Sequence, residues 1–194
     1  ATGDDDAYLV RLYTACGRLD CQPSHLSLFK RTPDLREWVF AQDVIFVGGG
    51  NTKSLLGVWR EWGLVEVLWD AWQAGIVISG VSAGAICWFE EGSTDSWADR
   101  LRRLDCLGFL PGSCCPHYDA EPERRPALHE MLSAGEIIPG IALDNDAAAH
   151  YVGTKLHQIV TARPTAGAYA LRLVSGIVHE EQLPVQDLGI AITR

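Results

Sequence analysis

Apolar positions change period several times along the chain. Behind the acidic start at Asp4, Tyr8, Leu9, Leu12 and Tyr13 recur at helical spacing and predict a helix over 4–16. Residues 25–29 alternate like a strand, and a short helix is expected over 34–40. The β-branched apolar run 43–47 predicts a strand buried on both faces, ending in Gly48-Gly49-Gly50-Asn51-Thr52. Helical patterns over 54–62 and 64–74 lead into a second apolar run, 75–79. Beyond Glu91 the pattern gives a polar stretch at 92–96, a Leu/Arg segment, a turn at 111–113 and a strand over 114–118. A helix over 121–134 and strands over 137–143, 156–161, 168–174 and 177–179 complete the reading. Strands alternating with helices early, and short strands late, predict an α/β fold with a mainly parallel sheet flanked by helices. No repeat or linker divides the chain, so one domain over 1–194 is expected. Because a helix comes first, either the sheet lacks an N-terminal strand or the chain starts part-way into its domain.

Composition narrows the function classes. With 194 residues, 47% hydrophobic and 21% charged, the chain is long enough for a sizeable core. No apolar run reaches the roughly 20 residues that cross a bilayer, and no secretory leader pattern opens the chain, so a cytoplasmic protein without a membrane partner is expected. A net charge of −9 argues against nucleic acid as a partner. The six cysteines include no CxxC pair and read as reduced thiols, with no structural metal and no cofactor implied.

The chemistry concentrates at Gly80-Val81-Ser82-Ala83-Gly84, between the apolar run 75–79 and the segment 85–89. A serine at a sharp strand-to-helix turn needs small neighbours, and such an elbow presents the hydroxyl together with the Ala83 N–H and the positive end of a helix. An ordinary turn with a capping serine is the alternative. A serine nucleophile needs a base; of six histidines, His117 in Pro116-His117-Tyr118 stands at a strand end, where open α/β sheets gather functional groups. The glycine turn at 48–50 can bring a backbone N–H close to a substrate oxygen. A phosphate loop is the weaker reading there, because no Gly-Lys-Ser/Thr follows.

Val47 to Thr52, Gly80 to Ala85, Leu110-Pro111-Gly112-Ser113 and Pro116-His117-Tyr118, in this order and spacing, resemble peptidase E, the aspartyl dipeptidase family related to cyanophycinase. The resemblance runs to about Gly176. It implies a fold like the class I glutamine amidotransferases, a three-layer architecture with serine replacing the elbow cysteine. It further implies Ser82 as nucleophile, His117 as base, and the Gly50 and Ala83 N–H groups as the oxyanion hole. The family's third catalytic residue, glutamate or aspartate, falls on Asn145, with Asp146 or Asp144 available if the turn shifts by one. Arg124 and Arg125 match the region that binds the substrate carboxylate, and Asp95 matches an aspartate near the active site. The implied activity is a serine exopeptidase cleaving small acidic Asp-X peptides, as a monomer or homodimer. Asn145 and a C-terminus resembling the short subgroup leave a second reading, a weakened homologue that binds acidic peptides or small molecules without Asp-X cleavage. An esterase using Ser82, Asp144 and a late histidine, His150 or His179, is the third.

Overall fold

The computed structural model describes residues 2–189, which fall into two compact units divided between Gly84 and Ala85. In the first unit, helices α1 (Asp6–Cys16) and α2 (Leu35–Phe40) precede strand β1 (Val44–Val47), helices α3 (Thr52–Glu61) and α4 (Leu64–Gln73), and strand β2 (Val77–Gly80). Strands β1 and β2 pair in parallel, Val44 opposite Val77 and Val47 opposite Gly80. Helix α4 packs on α2 and α3, and Leu55, Leu56, Trp59, Leu64, Leu68 and Ala71 form their buried faces. Caps set the helix starts: Asp5, Asp34 and Asn51 each accept a backbone N–H from the first turn that follows.

One turn of helix, α5 (Ala83–Ile86), carries the chain into the second unit. There β3 (Phe89–Thr94), β4 (Arg102–Asp105), β5 (Leu110–Cys115), helix α6 (Arg124–Ser133) and β6 (Gly140–Leu143) are followed by β7 (Ala147–Val152), β8 (Lys155–Thr161), β9 (Ala168–Val174), β10 (Ile177–Gln182) and β11 (Val185–Asp187). One sheet has the order β10-β9-β6-β5-β3-β4, with β3, β5 and β6 parallel and antiparallel strands on both flanks. A second has the order β11-β8-β7. The core of this unit joins α6 to the large sheet through Leu128, Met131, Leu132, Cys115, Tyr118, Ala142 and Leu171. The α/β class with parallel strands flanked by helices is as expected from the sequence.

Several local expectations give way. Residues 25–29 form no strand: the Asp4 carboxylate accepts from the Ser27 hydroxyl and from the N–H groups of Leu28 and Phe29, so local donors are satisfied without a ladder. Strand β1 is not covered on both faces; Val44 is 58% and Phe46 50% exposed, and only Val47 is buried. The supposed turn 111–113 lies inside β5, where Gly112 takes φ +83° and gives its N–H to the Glu90 carboxylate at 2.7 Å. That is a bulge, and the register opposite it shifts between Phe89 and Glu91. The polar stretch 92–96 is largely the buried end of β3, because Gly92, Ser93 and Thr94 are small enough for a sheet interior. The helix expected behind Ser82 is there but is one turn long, ending at Ile86, and Phe89 already opens β3.

Candidate active site

In the first unit, the geometry around Ser82 follows from close backbone approach. Val81 continues the β2 ladder by donating to the Val47 carbonyl at 3.0 Å, and the Gly84 N–H closes a turn onto the Val81 carbonyl at 2.9 Å. Between them the partly exposed Ser82 holds φ +55°, a left-handed conformation that costs an L-residue energy and turns its side chain out of the strand. Glycine is required on both sides. A Cβ on Gly80 would lie 2.1 Å from the Gly84 carbonyl oxygen, and one on Gly84 would lie 2.1 Å from that of Val47. Gly49 runs beside the serine, its Cβ position 3.2 Å from the Ser82 Cβ. Gly50 is exposed at φ +131°, and Ala83 is buried directly after the serine. Asn51 caps α3, its Oδ1 accepting the Ser54 N–H at 2.9 Å.

In the second unit, parallel pairing places the histidine. Strands β5 and β6 run side by side with Cys115 opposite Ala142, so the residues just beyond their C-terminal ends emerge together. His117, at φ +57°, presents Nδ1 2.7 Å from Asn145 Oδ1, while the Tyr118 N–H donates to the Leu143 carbonyl at 3.0 Å. An amide oxygen only accepts, so Nδ1 carries the ring proton and Nε2 keeps the lone pair of a base.

Asn145 is clamped through its backbone. Its N–H donates to Asp119 Oδ1 at 2.8 Å and its carbonyl accepts from Arg163 Nη2 at 3.0 Å. Arg163 also pairs with the Asp119 carboxylate and, at 3.1 Å, with Asp146. Burial pushes the Asp119 carboxyl up, but the Asn145 N–H and the Arg163 guanidinium outweigh it and hold it below its usual range. Asp146, one of the two residues suggested to complete the site, is therefore turned to Arg163. Asp144 is buried, accepts the Gly167 N–H at 2.8 Å, and has its carboxyl raised chiefly by that burial.

The other sequence candidates lie in the same unit. Arg124 is 2% exposed; Nε meets Glu121 at 2.6 Å, Nη1 donates to the Ser93 carbonyl at 3.3 Å, and Nη2 stands 3.7 Å from Asp95. Arg125 is half exposed, pairs with Glu180 at 2.9 Å and lies over the rings of Tyr118 and Tyr169. Both guanidinium groups thus already hold carboxylates. His150 sits edge-on to His157, 5.2 Å between centroids, and His179 is exposed on β10. Burial pushes the Cys115 thiol up to about 11 and raises those of Cys87 and Cys114 well above their usual range, so these three are poor nucleophiles at neutral pH. Among the described residues no cluster of three or more His, Cys, Asp or Glu is arranged to hold a metal, and no helix is long and apolar enough to cross a membrane.

The profile of Peptidase family S51 matches residues 1–159. The chain belongs to that family. As a family S51 member it is 51% identical over 190 residues to the Bacillus subtilis protein named Uncharacterized peptidase YgaJ, covering 97% of this chain and 82% of that protein. It is also 33% identical over 105 residues to Peptidase E of Salmonella arizonae, covering half of this chain and 46% of the relative. The S51 fold is shared with two solved structures. A peptidase from an acI-B1 Actinobacterium aligns at TM-score 0.68 and 20% identity, over 92% of this chain and 74% of that one. A putative peptidase E from Listeria monocytogenes aligns at 0.55 and 19%, over 93% and 80%.

Sequence reading had not found Tyr8, Asp119 or Arg163. Tyr8 donates no sequence signal beyond an apolar helix position, yet its hydroxyl accepts the Gly49 N–H at 2.9 Å.

Proposed function

We propose that this S51 protein is a serine exopeptidase that cleaves small acidic dipeptides of the Asp-X type. Ser82 Oγ attacks the peptide carbonyl carbon while its proton passes to His117 Nε2. The Gly50 and Ala83 N–H groups receive the oxyanion. Collapse breaks the C–N bond, the imidazolium returns the proton to the leaving amine, and water hydrolyses the acyl-enzyme by the same route. Asn145 fixes the ring tautomer without a full negative charge, as the asparagine of Cys-His-Asn proteases does. The observation that carries this reading is the His117–Asn145 hydrogen bond, which leaves Nε2 as the basic nitrogen. The peptidase E relatives support a peptide substrate, and the acidic preference is what the resemblance to that family implies.

The committed state of Arg124 and Arg125 favours a second reading, in which acidic peptides bind without Asp-X cleavage. A panel of Asp-X, Glu-X and isoaspartyl dipeptides, assayed with native and Ser82→Ala protein, separates them. The first reading expects Asp-X turnover by the native protein and loss of at least about 10³-fold in Ser82→Ala. Calorimetric binding of the same peptides with no product from either protein would instead establish the second.

A further inference from the structure

Of the three consecutive glycines after β1, two are set against a particular side chain and the third holds a left-handed backbone conformation. A Cβ on Gly48 would lie 2.6 Å from the Tyr8 hydroxyl oxygen and 2.7 Å from two ring carbons, so this glycine makes room for Tyr8. Gly49 makes room for Ser82, and Gly50 holds a φ of +131° that L side chains rarely adopt. A glycine triplet has no side chains to orient its peptide planes, so successive N–H groups could point in several directions. One contact limits that freedom at the first of these peptides: the half-buried Tyr8, 41 residues earlier on α1, accepts the Gly49 N–H at 2.9 Å.

We propose that Tyr8 is a positioning residue for the oxyanion hole: by taking the Gly49 N–H, it orients the following peptide so that the Gly50 N–H is the one offered to substrate beside Ser82. This rests on the assignment of Ser82, Gly50 and Ala83 made above. Tyr8 acts through the glycine turn and not on the reacting atoms. Its effect belongs to the transition state, where negative charge develops on the carbonyl oxygen, and not to ground-state binding.

The test is the rate at which a fluorophosphonate phosphonylates Ser82, a reaction in which the Oγ–P bond forms, fluoride leaves and the serine proton passes to base. Tyr8→Phe keeps the ring and deletes the hydroxyl. It is expected to slow labelling and kcat between about tenfold and a hundredfold, with KM and the thermal midpoint close to those of the native protein. Gly48→Ala, which pushes Tyr8 away, is expected to do the same, and the Tyr8→Phe, Gly48→Ala double variant to lose little more than either alone. Labelling and kcat of Tyr8→Phe at native rates would overturn the proposal, as would two single effects that simply multiply. If native Ser82 is not labelled at all, the nucleophile assignment itself falls, a failure distinguishable from that of Tyr8 alone.

Discussion

In the proposed mechanism an asparagine, Asn145, stands where the resemblance to peptidase E implies a carboxylate. Asn145 accepts from His117 Nδ1 at 2.7 Å, so it can set the tautomer, but it adds no charge to stabilise an imidazolium. Asn145→Ala is expected to lower kcat by about 10²-fold with KM little changed, because the ring loses its orienting acceptor. Asn145→Asp keeps an acceptor oxygen and adds charge, and should retain activity. Steady-state kinetics of the two variants check this; native kcat in Asn145→Ala would remove Asn145 from the mechanism. The motifs that resemble peptidase E pointed to His117 and to the stretch 144–146, and the structure pairs the His117 ring with Asn145. The choice between Asn145 and Asp146 was not legible, because Arg163, 17 residues beyond Asp146, draws that carboxylate away.

Between elements, backbone packing sets the tolerances. The elbow exists because β1, β2 and α5 approach closely enough that glycine alone fits at 80 and 84. Gly84→Ala would place a Cβ 2.1 Å from the Val47 carbonyl oxygen and 2.6 Å from its carbon, main-chain atoms that cannot swing aside as a flexible side chain does. A loss of more than about 3 kcal/mol in urea denaturation is expected, and an unchanged midpoint would contradict the packing. Helices α1, α3, α4 and α6 were legible because each runs for ten or eleven residues, and the six-residue α2 because Asp34 caps its start. Strand β3 was hidden by small polar residues that the sheet buries, β5 by a proline and a glycine at a bulge, and β7 by its run of alanines. The strand expected at 25–29 failed for the opposite reason, since alternation alone supplies no neighbouring strand.

Across the whole molecule, contacts distant in sequence hold what local pattern does not reveal. Glu180 on β10 accepts from the Tyr118 hydroxyl at 2.6 Å, lies 2.8 Å from His129 and pairs with Arg125, tying β10 to α6. Burial raises its carboxyl, but Tyr118, His129 and Arg125 outweigh that and hold it below the usual 4.5. A carboxyl lowered in the native state binds protons more weakly there than in the unfolded chain. It therefore contributes stability above its unfolded value and loses it as pH falls through the folded one. Asp119 acts in the same sense, whereas Asp144, raised by burial, acts in the opposite one. Urea midpoints are expected to fall as pH drops below about 4.5, with a shallower fall in Glu180→Gln; an identical pH slope in that variant would show that Glu180 contributes nothing. The central claim is that the Ser82 hydroxyl is made nucleophilic by the His117 imidazole, and the most direct measurement is fluorophosphonate labelling of folded protein with the modified residue located by peptide mass spectrometry. The account predicts a single adduct on Ser82 whose rate of formation collapses in His117→Ala; a folded native protein that stays unlabelled, or labels at the same rate without His117, would contradict it.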